Sequence, residues 1–128
     1  MHRVVYDTRF FAEYFFSEDV AFLRKAREAI RKADQRLVSA IVIHEVYQLI
    51  LEKKGREVAI LRVMILEKDF KVITVDSEIA KSSAELRHKY RLSLADSIIA
   101  ATALAMKATC ITDDPHFERV TEIKTAWV

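Results

Sequence analysis

Short β-branched runs alternate with long helical stretches along the whole chain, and that alternation leaves few folds open. Arg3 to Tyr6 reads as a first strand, Gln35 to Ser39 as a second and Lys71 to Val75 as a third. Thr109 to Thr112 makes a fourth, and Glu122 to Ala126 a short fifth. Between them Phe10 to Phe16 comes first, followed by a helix that Ser17 is placed to cap and that runs to about Lys32. A helix over Ile41 to Lys53 ends at Gly55, and Arg56 to Lys68 continues as an amphipathic helix with Val58, Leu61, Ile65 and Leu66 on one side. Asp76 or Ser77 caps the next helix, which reaches about Tyr90. Ser93 caps the one after it, whose later part, Ile98 to Met106, is apolar on almost every side and therefore central. Strands separated by helices imply a parallel sheet covered on both faces. No linker, repeat or low-complexity stretch interrupts the pattern, so residues 1–128 read as a single α/β domain.

At 128 residues the chain is long enough for one proper core and too short for two. A composition of 52% hydrophobic and 31% charged residues excludes a disordered chain. The net charge of +2 announces no nucleic-acid partner by itself, so RNA contact requires a local patch. Arg24, Lys25, Arg27, Arg31, Lys32 and Arg36 crowd one region that is either such a patch or a solvated helix face. The single cysteine, Cys110, lies in an expected central strand and reads as a buried structural thiol. No leader-like segment or membrane-length apolar run is present, which gives a cytoplasmic expectation.

Acidic residues stand where acids are hardest to explain as surface decoration. Asp7 ends the run Val4-Val5-Tyr6, Glu45 lies in the first turns of an apolar helix, and Asp96 sits near the start of the expected central helix. Asp113 and Asp114 follow the strand through Ile111 and Thr112. Buried carboxylates are rare unless paired or holding a metal. In open parallel sheets, ligands gather outside the carboxyl ends of strands near the point where strand order reverses. If the first and fourth strands are neighbours there, Asp7 faces Asp113 or Asp114, with Glu45 and Asp96 reaching in from helix starts. Several carboxylates so close cannot all stay ionised alone, and a divalent cation resolves the conflict. All-oxygen ligation suits Mg²⁺ or Mn²⁺ rather than Zn²⁺. Metal-assisted phosphodiester hydrolysis is the matching reaction class, with hydroxyls of Thr8, Ser39 or Thr112 available to orient ligands or water.

Each acid also has a plainer role open to it. Asp7 could cap the helix that follows, Glu45 could be an exposed helix residue, and Asp96 could complete a capping box with Ser93. Asp113 or Asp114 could be a turn residue before Pro115. Other motifs fail: His44-Glu45 lacks the second histidine of a zinc-protease helix, and no phosphate-binding glycine loop exists. A phospho-acceptor receiver needs an acidic pair at its first strand, and here Asp7 is followed by Thr8.

These residues resemble the PIN domain family, and within it the VapC-like toxin ribonucleases of toxin–antitoxin pairs. The specific pieces are Leu92-Ser93-Leu94-Ala95-Asp96-Ser97-Ile98-Ile99-Ala100-Ala101-Thr102-Ala103 and Ile111-Thr112-Asp113-Asp114-Pro115-His116-Phe117. The resemblance aligns Asp7, Glu45, Asp96 and Asp114 with the family's four acids and leaves Asp113 a variable neighbour. It implies an Mg²⁺- or Mn²⁺-dependent RNA endonuclease built as an α/β/α sandwich with strand order 3-2-1-4-5. Asp7, Asp96 and Asp114 are then the expected metal ligands, with Glu45 completing the catalytic set. It also implies a homodimer and a small antitoxin partner. A stand-alone PIN nuclease of RNA processing and a catalytically idle binding module of the same fold remain the alternatives. Five aromatics among Phe10, Phe11, Tyr14, Phe15 and Phe16 occupy more than one helical stripe. They either all pack inside or leave some rings to form a partner groove.

Overall fold

The computed structural model describes residues 2–128. Its centre is a five-stranded sheet of order β3-β2-β1-β4-β5, built from β1 (Arg3–Tyr6), β2 (Gln35–Ser39), β3 (Lys71–Ile73), β4 (Thr109–Ile111) and β5 (Thr125–Ala126). Every pairing is parallel, and Val5 of β1 lies opposite both Leu37 and Cys110. The switch in strand order falls between β1 and β4, so the ends of these two strands share one edge of the molecule. β3 stops at Ile73, short of the expected Val75, and β5 keeps only the last two residues of its expected run.

Helices α1 (Thr8–Phe16), α2 (Val20–Lys32), α3 (Ala40–Lys54), α4 (Arg56–Asp69), α5 (Ser77–Tyr90) and α6 (Leu94–Met106) flank this sheet. The most enclosed is α6, where Ile99, Ala100, Ala101 and Ala103 are fully buried. Its alanines let the helix approach β1, β2 and β4 closely, which explains why an apolar surface with little volume suits that position. Thr102, also buried there, gives its hydroxyl proton to the carbonyl of Ile98 and so leaves no orphan donor. Tyr6, Phe10, Phe11 and Phe70 form an aromatic cluster beside the sheet, with Phe70 edge-on to Tyr6 and to Phe11, both at 5.2 Å between centroids.

Two local expectations fail for identifiable reasons. Ser17 does not cap α2; it terminates α1, donating its amide to the Glu13 carbonyl at 2.8 Å. Asp19 caps α2 instead, because it directly precedes Val20 and its Oδ1 accepts from the amides of Ala21 and Phe22 at 3.0 and 3.2 Å, while the Ser17 hydroxyl accepts the Asp19 amide. On α4 the buried stripe is Ala59, Val63 and Leu66, while Leu61 and Ile65 are 60% and 59% exposed. Apolar residues surround this helix, so periodicity alone allowed two faces. The tight turn at Gly55 (φ 89°) folds α4 back on α3, and small Ala59 permits the close approach. Among the described residues no helix is long and apolar enough to cross a membrane.

Candidate functional site

Asp7 continues the β1–β4 ladder by one residue, donating its amide to the carbonyl of Ile111 at 3.1 Å. This fixes its side chain beside the end of β4, where it is only 2% exposed. Asp7 occupies the position before α1 without a well-formed capping hydrogen bond, although the amides of Thr8 and Arg9 lie close enough to favour its charged form weakly. Thr112 Oγ1 donates to Asp7 Oδ2 at 2.7 Å and accepts the amide of Asp114 at 3.1 Å. Burial pushes the Asp7 carboxyl up to about 6; the Thr112 hydroxyl opposes that rise, and the charge of Asp96 adds to it.

Asp96 stands in the first turn of α6, its amide held by Ser93 Oγ at 3.2 Å. The cap is therefore real, but the carboxyl group also faces the other acids. Burial raises its pKa first, and the charges of Asp114 and Glu45 raise it further. Glu45 is oriented by Thr8 Oγ1, which donates to Oε1 at 2.6 Å and so ties α3 to the start of α1. Asp114 caps the 3₁₀ turn Pro115–Arg119 and meets His116 Nδ1 at 2.8 Å. Its neighbour Asp113 points elsewhere, into an ion pair with Arg9 at 2.5 Å.

Asp7, Glu45, Asp96 and Asp114 thus gather at the carboxyl edge of β1 and β4, as the sequence reading expects. Thr8 and Thr112 act on the acids, whereas Ser39 is occupied in capping α3 through the amide of Ile41. In the present rotamers the four acids do not close on one point: among the described residues no three His, Cys, Asp or Glu side chains are arranged to hold an ion. Coulombic coupling reaches further than ligation, so the acids can perturb one another without converging. Mutual repulsion of this kind, in an all-oxygen donor set with one carboxyl fully buried, fits a hard divalent cation.

The sequence reading missed Arg9. Its side chain faces Asp113, Asp114 and Asp7, making it a cation placed among the acids. A basic residue in the first turn of a helix was the available signal, because the helix dipole disfavours it there.

A model of the PIN domain family matches residues 4–123. The chain belongs to the PIN domain family. No curated protein matches its sequence. Solved structures share the PIN fold over nearly their whole length. VapBC2 from Rickettsia felis, bound to a promoter DNA fragment, is 17% identical with a TM-score of 0.81 and 98% of each chain covered. A toxin–antitoxin complex from Klebsiella pneumoniae is 24% identical, with a TM-score of 0.75 and 94% of each chain covered. Mycobacterium tuberculosis VapC20, described as a sarcin-ricin loop cleaving toxin, is 20% identical with a TM-score of 0.75, over 92% of this chain and 95% of that one. The PIN strand order observed here, with β1 beside β4, is what brings Asp7 and Asp114 to one edge.

A second feature lies away from the acids. Tyr14, Phe15, Leu23, Ile30, Ile65 and Phe70 line a groove of about 410 Å³ between α1, α2 and α4. Phe10 and Phe11 are core residues, while Tyr14, Phe15 and Phe16 are half-buried, so none of the five rings is fully exposed. Arg62 covers the face of Phe15 at 5.3 Å from its centroid.

Proposed function

We propose that this PIN-domain chain is an Mg²⁺- or Mn²⁺-dependent endoribonuclease and the toxin of a toxin–antitoxin pair. The observation that carries the catalytic part is the buried Asp7 carboxyl, held beside β4 by Thr112 and facing Asp96. A structural acid in that place would be a liability, since it raises the cost of folding at neutral pH. Asp7, Asp96 and Asp114 are the residues that would hold the cation, with Glu45 positioned by Thr8 to take the proton of an attacking water. The bound cation supplies charge neutralisation and a more acidic water for phosphodiester hydrolysis. Thr112 keeps the Asp7 carboxylate oriented, and His116 beside Asp114 fixes the rim of the site.

Solved structures of similar fold support the biological assignment, because one is described as a toxin–antitoxin complex, another as a member of the VapBC family of toxin–antitoxin systems and a third as a sarcin-ricin loop cleaving toxin. The groove between α1, α2 and α4, which mixes aromatic and aliphatic side chains with Arg27, Arg36, Arg62 and Asp69, suits an amphipathic antitoxin helix. The test is cleavage of total RNA by the purified protein with Mg²⁺ or Mn²⁺, and its loss with a chelator and in Asp96→Asn. Metal-independent or absent cleavage refutes the catalytic reading. Cleavage without capture of a small protein encoded next to the gene favours a stand-alone PIN nuclease of RNA processing.

A further inference from the structure

We propose that Arg9 is the RNA-phosphate clamp of the acidic site and that Asp113 is the carboxylate that holds its guanidinium in place at the rim. This deepens the nuclease reading above and rests on it.

Three observations converge on Arg9. First, its placement runs against stability: it sits in the first turn of α1, where the helix dipole disfavours a cation, and α1 carries no acid there to offset it. Second, its pairing is weak as a structural device. The Arg9 and Asp113 side chains are 57% and 35% exposed, and exposed pairs of this kind contribute little to stability. Third, the pair is incomplete. Only Nε bonds to Asp113 Oδ1, and among the described residues no protein acceptor bonds the two terminal nitrogens. The outer fork of the guanidinium therefore remains free for a second anion.

The surroundings define that anion. Arg9 faces Asp7, Asp113 and Asp114, so it stands at the rim of a site whose net charge repels a polyanion. A phosphate approaching the acids meets the guanidinium at its edge, and the planar fork matches two phosphate oxygens. Asp113 competes for the same cation. Phosphate would take the terminal nitrogens while Nε stays on Asp113, whose negative charge weakens the arginine's pull on the second anion. This gives the Asp113-Asp114 pair two separate duties: Asp114 turns inward to the other acids, and Asp113 parks the arginine.

The test compares Arg9→Gln, Arg9→Lys and Asp113→Asn, each in an Asp96→Asn background so that RNA is not consumed. The probe is a fluorescent RNA stem–loop titrated with protein over a range of salt in the presence of Mg²⁺. Arg9→Gln is expected to weaken binding by about tenfold or more and to lower the slope of log K against log salt by about one. Arg9→Lys keeps the charge but loses the fork, and should retain the slope while losing part of the affinity. Asp113→Asn removes the competitor, so it should bind RNA as tightly as its parent or more tightly. A purely structural staple predicts the opposite pattern, with Arg9→Gln and Asp113→Asn weakened alike and the salt slope unchanged; that result overturns the clamp. Arg9-dependent RNA binding by a protein whose unmutated site cuts no RNA would overturn the nuclease reading and leave the clamp standing. RNA cleavage with binding indifferent to Arg9 would do the reverse.

Discussion

Thr112 Oγ1 donates its proton to Asp7 Oδ2 at 2.7 Å, joining residues 105 positions apart in sequence at the shared edge of β1 and β4. The same oxygen accepts the amide of Asp114, so one hydroxyl positions two of the four acids. Because the bond favours the charged form of Asp7, it opposes the effect of burial. Thr112→Val should therefore push the Asp7 carboxyl further up and weaken metal binding near neutral pH by about tenfold. The deficit should shrink as pH rises and Asp7 ionises in both proteins. Isothermal titration with Mn²⁺ at several pH values measures it, and a pH-independent deficit would show that Thr112 does not act through Asp7.

Asp96→Asn keeps shape and the Ser93 cap, which uses the backbone amide, but removes charge from the site. RNA cleavage should fall by about a hundredfold or more, with an unchanged circular-dichroism spectrum. Asp113→Asn should cost far less, since that carboxylate is taken up by Arg9. Equal losses in the two variants would mean that the wrong aspartate has been placed in the metal set.

The Asp7 carboxyl also makes stability depend on pH. Its folded pKa is raised from 3.8 to about 6, so the protonated form is the one that folding favours. The resulting stabilisation is complete below the unfolded value and is lost as pH rises through about 6. Without added metal, Asp7→Asn should be more stable than the parent at pH 8, by on the order of 2 kcal/mol, and nearly equal at pH 4. Added Mg²⁺ should narrow the gap by stabilising only the parent. Denaturant unfolding at the two pH values decides this; a gap of the same size at both contradicts a buried ionised carboxyl.

The acids were legible in sequence because a charge next to an apolar run has few explanations, and the parallel sheet because helices separated the strands. Two things were not. The buried face of α4 was hidden because Leu61, Met64 and Ile65 are apolar but exposed, so hydrophobicity did not mark the inside. Arg9 was hidden because its meaning lies in Asp113, which is remote in sequence and reaches it only through the β1–β4 pairing. The split between Asp113 and Asp114 was readable only through the family resemblance. The backbone supplies the physical cause, because the cap at the 3₁₀ turn orients one and leaves the other free to meet Arg9.

The groove between α1, α2 and α4 predicts a separation of functions. Phe15 is half-buried under Arg62 and lines the groove, away from the four acids. If the chain is the toxin proposed above, Phe15→Ser should weaken binding of its proposed antitoxin by about tenfold or more, as loss of an aromatic anchor does. Its RNA cleavage should stay near the parent level, which the same RNA assay checks. Loss of both activities together would mean that the ring supports the core rather than a partner.

The last prediction concerns how an acidic site would hold the proposed RNA substrate. On α2, Arg31 and Lys32 are partly neutralised by Glu28, while Arg24, Lys25 and Arg27 appear in no ion pair among the described residues. That leaves a basic stretch able to track phosphates beyond the reach of Arg9, and two copies in a homodimer would lengthen it. RNA affinity should then fall steeply with salt, and replacing Arg24, Lys25 and Arg27 by Gln should lower the logarithmic salt slope by about two to three. Sedimentation at micromolar concentration should show the dimer. Salt-independent binding would remove the electrostatic track, and a fully active monomer would show that one copy suffices.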